Sequence, residues 1–154
     1  MRPMQLTLYT DYSLRVLLYL ASHPDRRVTI TEISEYFGVS RNHLVKVVHN
    51  LGKLQLIHTI RGKSGGLLLA VSPEDVNIAD LVRQVEPHMN ILECFDDVSN
   101  TCPITMQCSL KGVLFQARQG FMNVLEQYTL ADMMPKSSEP QEIEVPISSI
   151  VLSS

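Results

Sequence analysis

The stretch that most narrows the fold runs from Thr29 to Leu51, where two short apolar-patterned segments flank Gly38-Val39-Ser40. Thr29 and Glu32 have the spacing of a capping box, which satisfies two orphan backbone donors at a helix start. Ile33, Tyr36 and Phe37 then supply an apolar side. Ser40 is placed to cap the next helix, whose buried face is expected at Leu44, Val47, Val48 and Leu51. Two short helices joined by a glycine-containing turn form a helix-turn-helix. In that arrangement the first residues of the second helix meet base edges in the major groove. Here they are Arg41, Asn42 and His43, with Lys46 one turn on. Arginine pairs bidentately with guanine and asparagine with adenine, whereas Lys46 is expected to hold a phosphate. By itself this turn is equally compatible with a solvated helix start.

The segment beyond Leu51 favours the nucleic-acid reading. Leu56 to Arg61 is expected as a strand, Gly62-Lys63-Ser64-Gly65-Gly66 as a turn and Leu67 to Val71 as a return strand, a two-stranded wing. Its tip offers Arg61, Lys63 and Ser64, with Gly65 and Gly66 letting backbone approach a phosphate or minor groove. The spacing that a phosphate-binding Walker loop requires is absent, which excludes that class of nucleotide-binding enzyme. Charge points the same way. Residues 1 to 70 hold nine Lys/Arg against four Asp/Glu, and residues 71 to 154 four against twelve. No acid falls between Glu35 and Glu74, a segment suited to a polyanion.

Around this unit the chain is expected to be helical. Leu14, Leu17, Leu18 and Ala21 recur at helical steps after Thr10-Asp11, and the run stops at His23-Pro24-Asp25. Ser72-Pro73-Glu74-Asp75 is expected to open a helix through Ile78, Leu81, Val82 and Val85. From Leu110 to Tyr128 a three/four spacing predicts a long helix, and a helix outlying a winged unit needs a partner surface, best met by a two-fold dimer. The expected organisation is therefore a winged helix-turn-helix at 4–86, a cysteine loop at 87–108, a dimerisation helix at 109–134, which takes in a short turn between Thr129 and Met134, and a mobile tail at 135–154. The fold class is mainly α with a small β-wing. With 45% hydrophobic and 19% charged residues among 154, and no apolar run long enough to span a bilayer, the expected location is the cytoplasm.

All three cysteines, Cys94, Cys102 and Cys108, lie in that loop, at intervals of seven and five residues. An odd count in a reducing compartment argues against a disulfide framework. The intervals are too wide for a zinc knuckle. No Cys-x-x-Cys is present, and Glu93, Asp96 and Asp97 are poor neighbours for a redox thiolate. An iron-sulfur cluster fits best, since thiolates hold such clusters and Cys102-Pro103 has the cysteine-proline pairing of some of them. The fourth ligand must come from elsewhere in the chain or from a second subunit.

Residues 4 to 134 resemble the winged-helix iron-sulfur transcriptional repressors, the family that includes NsrR-type nitric-oxide sensors and IscR-type cluster-biogenesis regulators. The likeness rests on Leu6-Thr7, Thr10 to Arg15, Val39 to Val47, Arg61 to Gly66 and the three cysteines. Ser40-Arg41-Asn42-His43-Leu44 looks like the NsrR branch, and Lys111 stands near where IscR-type chains carry a histidine ligand. The first cysteine interval is longer than in the NsrR pattern. The resemblance implies a homodimer on double-stranded operator DNA, holding a 2Fe-2S or 4Fe-4S cluster through Cys94, Cys102, Cys108 and Asp11 of the partner subunit. Arg15, one turn after Asp11, would orient or shield that carboxylate. Nitric oxide would be the effector, releasing the operator of nitric-oxide detoxification genes once the cluster is nitrosylated or lost. Asp11 is equally suited to cap the first helix, and His88 is the alternative fourth ligand. Two other functions stay open: an iron- or cluster-level sensor, and a thiol or metal redox protein with a degenerate winged helix.

Overall fold

The computed structural model describes residues 5–134; the expected tail at 135–154 and Met4 lie outside them. The first helix, α1, spans Leu8–Ala21. It is the hub of the fold: Val16, Leu17, Leu20 and Ala21 are buried, with Leu17 fully inaccessible. Leu14 and Leu18, expected on the buried face, are only partly covered. The helix begins earlier than Thr10-Asp11 suggests. Its N-cap is Thr7, whose hydroxyl accepts from the Thr10 amide, so Asp11 does not cap it. Glu86, far along the chain, selects this start. Its carboxylate accepts from the Thr7 amide at 3.1 Å and the Thr7 hydroxyl at 3.0 Å, and it also takes the buried Thr10 hydroxyl.

Helices α2, Ile30–Phe37, and α3, Arg41–Lys53, form as expected. The Thr29 hydroxyl accepts from the Glu32 amide at 3.1 Å, and Gly38 ends α2 in the left-handed region at φ 64°, where a side chain would be strained. The Ser34 hydroxyl donates to the Val39 carbonyl at 2.6 Å and closes the turn. Ile33 of α2 and Leu44, Val47 and Leu51 of α3 join the core built on α1. Each such side chain contributes about 1.5–3 kcal/mol by leaving water.

Glu32 also anchors the outer side of this unit. It accepts from Arg26 at 3.0 Å and from the Tyr19 hydroxyl at 2.8 Å. The Arg26 hydrogen bonds, helped by Tyr19 and opposed by burial, pull its carboxyl from the ordinary 4.5 down to about 2. A carboxyl depressed in the folded state adds stability above its unfolded pKa and loses it as pH falls through the folded one. Wild-type protein is therefore expected to lose stability more steeply than Glu32→Gln between pH 4.5 and about 2, measured by urea titration at each pH.

The wing consists of β1, Ile57–Ile60, paired antiparallel with β2, Gly66–Leu69, in the register Ile57 to Leu69 and Ile60 to Gly66. Strand β1 is one residue shorter than expected at each end, which leaves Arg61 in the turn, and β2 starts one residue earlier, at Gly66, and ends two earlier, at Leu69. Val28 forms an isolated antiparallel bridge with Leu67 on the other edge of β2. The helix expected from Ser72 is broken. Pro73–Asp75 makes one 3₁₀ turn, Val76 is extended and buried, and α4 spans Ile78–Val85 with Asn77 as cap, its side chain accepting from the Ala79 amide at 3.0 Å. Helix α5 spans Ser109–Leu125. Met122 and Leu125 pack on Ala79 and Val82 of α4 in a small second core. The chain then returns: the Ile78 amide donates to Tyr128 at 3.0 Å, the Leu130 amide to Val76 at 2.8 Å, and Leu130 is fully buried. The expected turn after Thr129 is a 3₁₀ turn at Ala131–Met133.

Candidate nucleic-acid interface and cysteine loop

Helix α3 divides cleanly between its faces. Leu44, Val47, Val48 and Leu51 are buried, while Asn42, His43 and Lys46 on the other faces, and Arg41 at the open end of the helix, are exposed. Ser40 occupies the N-cap position, but its side chain makes no capping hydrogen bond and is exposed. That differs from the expected cap, and it leaves the hydroxyl facing outward beside Arg41. The His43 ring stacks against Tyr12 of α1 at 6.2 Å between centroids.

The wing tip carries Arg61, Lys63 and Ser64 in the open. Gly65 and Gly66 are partly covered, and they are needed there for a reason other than a close phosphate. A Cβ at Gly65 would lie 2.3 Å from the Ile60 carbonyl oxygen, and one at Gly66 2.9 Å from the Arg27 Cβ. Arg27 holds the tip from behind by donating to the Ser64 carbonyl at 2.6 Å. Between the recognition helix and the wing, Gln55 takes a left-handed turn at φ 59°. The segment from Tyr36 to Pro73, containing both elements, has no carboxylate side chain.

Asp11 stands in the first turn of α1, half-exposed, in a two-point ion pair with Arg15 at 2.9 and 2.8 Å. The Arg15 guanidinium also lies 5.6 Å from the Phe37 ring centroid and 6.0 Å from Tyr12. The pair thus adjoins the end of α2 and the residue that stacks on His43.

The cysteine loop is built rather than loose. Cys94, 7% exposed, sits in a short turn at Glu93–Phe95. Cys102 donates its amide to Asn100 at 3.1 Å, and its carbonyl accepts from the Thr105 hydroxyl at 2.9 Å. Cys108 is the N-cap of α5, its Sγ accepting from the Lys111 amide at 3.4 Å. All three are free thiols, which is the soft donor chemistry that iron-sulfur clusters use. Among the described residues of one chain, however, no three His, Cys, Asp or Glu side chains converge closely enough to hold a metal ion. The donor set suits the group; one chain at rest does not gather it. His88, at the start of the loop, is exposed and accepts from the Asn90 amide at 3.5 Å.

On α5, Leu110, Val113, Phe121 and Val124 are exposed, the last three at 61, 43 and 54%. The expected apolar stripe therefore splits. Of the expected stripe Leu125 faces α4, joined there by Met122, which the spacing does not mark; Leu114 is half-buried, and Leu110, Val113, Phe121 and Val124 face outward. No described helix is long and apolar enough to cross a membrane.

A helix-turn-helix with an exposed polar first turn, joined to a basic two-stranded wing, defines a winged-helix DNA-binding protein. Comparison with known proteins sharpens this class. The chain belongs to the Rrf2 family of iron-dependent transcriptional regulators, whose pattern matches residues 6–136. It is 48% identical to the HTH-type transcriptional regulator NsrR of Halalkalibacterium halodurans over 141 residues, 91% of this chain and 97% of that one. It is 46% identical to the protein of the same name in Bacillus subtilis over 137 residues, covering 88% and 94%. Among solved structures, IscR of T. potens superposes with a TM-score of 0.67 at 25% identity, covering 84% of this chain and 85% of that one. These relatives place the chain among transcriptional regulators rather than enzymes.

Proposed function

We propose that this chain is a nitric-oxide-responsive iron-sulfur repressor that binds operator DNA as a homodimer and controls nitric-oxide detoxification genes. The observation that carries the reading is the combination of three unpaired thiols in one loop with a winged helix whose reading segment lacks acids. The NsrR name of its relatives supports the same effector. In this reading Cys94, Cys102 and Cys108 hold the cluster together with Asp11 of the partner subunit. The second chain supplies what one chain leaves incomplete. The outward apolar face of α5 is the dimer surface, because Leu110, Val113, Phe121 and Val124 would otherwise stay in water.

When bound, the cluster supplies irons with which nitric oxide reacts. The rest is the work of the chain. Asp11 would ligate through lone pairs that Arg15 leaves free, with the two-point pair to Arg15 orienting its carboxylate. Since Arg15 also lies over Phe37 and Tyr12, a shift of Asp11 bears on the helix-turn-helix and on His43. Arg41, Asn42 and His43 read bases, aided by Ser40. Lys46 and the wing residues Arg61, Lys63, Ser64, Gly65 and Gly66 hold the backbone.

Anaerobic purification followed by absorption spectra and operator binding with and without nitric oxide tests this. The expected result is a coloured dimer that loses DNA on exposure to the gas, and a Cys102→Ser variant that is colourless. A colourless wild type that binds DNA equally in both conditions refutes it. The family's description as iron-dependent favours one other reading, an iron-level sensor, whose DNA affinity would track iron supply and ignore nitric oxide.

A further inference from the structure

Seven residues separate Cys94 from Cys102, enough chain to hold two thiols roughly 25 Å apart when extended. Sequence spacing alone therefore gives no reason for them to act together. The structure closes the span at its neck. Glu93 Oε1 accepts from the Thr101 amide at 2.5 Å and from the Thr101 hydroxyl at 2.6 Å. Glu93 immediately precedes Cys94, and Thr101 immediately precedes Cys102. Within the closed segment Asp96 accepts from the Val98 amide at 3.1 Å and the Ser99 hydroxyl at 2.7 Å, so the excluded residues form a compact turn of their own.

The other flank of Cys94 is held too. The Phe95 ring lies 5.0 Å from the Arg118 guanidinium, which is also 5.0 Å from Phe115, a second α5 residue. Arg118 further donates to the Met89 carbonyl at 3.5 Å. Cys108 caps the same helix. Helix α5 is thus a common reference. Cys108 sits on its end, Cys94 is tied to it through Phe95 and Arg118, and Cys102 is tied to Cys94 through Glu93 and Thr101.

We infer that Glu93, with Thr101, and Arg118 are positioning residues of the cysteine site: the neck clasp brings Cys102 toward Cys94, and Arg118 fixes Cys94 against α5. The inference rests on reading these cysteines as one thiolate site, and deepens it by naming what restrains the chain on either side of Cys94. Residues that orient ligands without touching the metal commonly alter its affinity by about 10- to 100-fold.

The test begins with the reduced, metal-free full chain carrying Cys108→Ser, which leaves Cys94 and Cys102 as its thiols. The probe is phenylarsine oxide, which binds tightly only where two thiols approach one another. Glu93→Ala and Thr101→Val are each expected to weaken arsenical binding about tenfold; Arg118→Ala is expected to do the same in a Cys102→Ser chain, whose thiols are Cys94 and Cys108, and Arg118→Lys, which keeps a cation between the two rings, to retain most of that binding. Thr101→Val leaves α5 untouched, so its result stands even where an Arg118 variant folds poorly. In the chain with all three cysteines, the same variants are expected to surrender iron to a chelator about tenfold faster after anaerobic reconstitution. Unchanged affinity of the Cys94, Cys102 pair in Glu93→Ala and Thr101→Val overturns the clasp, and unchanged affinity of the Cys94, Cys108 pair in Arg118→Ala overturns the anchor. Clasp-dependent arsenical binding in a chain that never acquires visible absorption with iron and sulfide upholds it while refuting the iron-sulfur reading.

Discussion

Replacing Arg41 and Asn42 together by alanine is expected to lower affinity for a selected operator fragment by about 2–6 kcal/mol, since each good base contact discriminates by about 1–3 kcal/mol. That is a loss of roughly 30-fold to roughly 20,000-fold, at about 1.4 kcal/mol per tenfold. Both residues lie exposed in the first turn of α3, Arg41 at the open end of the stripe that leads into the buried Leu44 and Val48, and Asn42 across the helix from it. Surface changes of this kind normally move stability by no more than about 0.5 kcal/mol, so unfolding curves should superpose. Affinity for unrelated DNA should fall much less, because sequence-independent binding rests on phosphate contacts. Lys46→Ala gives the contrast: it should weaken selected and unrelated sequences alike and reduce the salt slope by about one. Equal losses on both kinds of DNA for the Arg41, Asn42 double variant would show that α3 does not read bases.

The helix-turn-helix and wing are legible because their signals are local. The Thr29 to Glu32 spacing, Gly38 and the glycines at 62, 65 and 66 each demand a particular backbone within a few residues. Boundaries decided by distant partners are not legible in this way. Thr7, Thr10 and Asp11 all suit a helix cap, and Glu86 chooses among them from 79 residues away. Pro73-Glu74-Asp75 has the composition of a helix start, yet Val76 turns into the core, the chain stays extended there, and Asn77 becomes the cap. Leu130 gives no sequence signal of a core residue, because its burial depends on pairing with Val76 rather than on periodicity. In the cysteine loop the three candidate residues are visible at once. The hydrogen bonds from Thr101 to Glu93 are not, since an acid and a threonine eight positions apart carry no pattern.

Glu86→Ala is the substitution with the largest expected effect on stability. It removes the acceptor for the Thr7 amide, the Thr7 hydroxyl and the Thr10 hydroxyl at once. Thr10 is fully buried, so its hydroxyl would be left with only the longer 3.2 Å contact to the Thr7 hydroxyl and no access to water. A buried polar group left unsatisfied costs about 1–3 kcal/mol, and a negative charge withdrawn from a helix start costs about 0.3–1 kcal/mol more. The expected loss is therefore about 2–4 kcal/mol, or roughly 5–15 °C in Tm for a chain of this size. Adding Thr10→Val should recover about 1 kcal/mol, because removing both members of a buried pair is milder than removing one. Strictly additive losses would show that Thr10 does not depend on Glu86. The consequence reaches beyond stability. Glu86 closes α4 directly before the segment that leads to Cys94, and the turn it holds carries Asp11. It is a covalent and hydrogen-bonded bridge between the cysteine loop and the start of α1, so a chain lacking it should transmit less of any movement from one to the other.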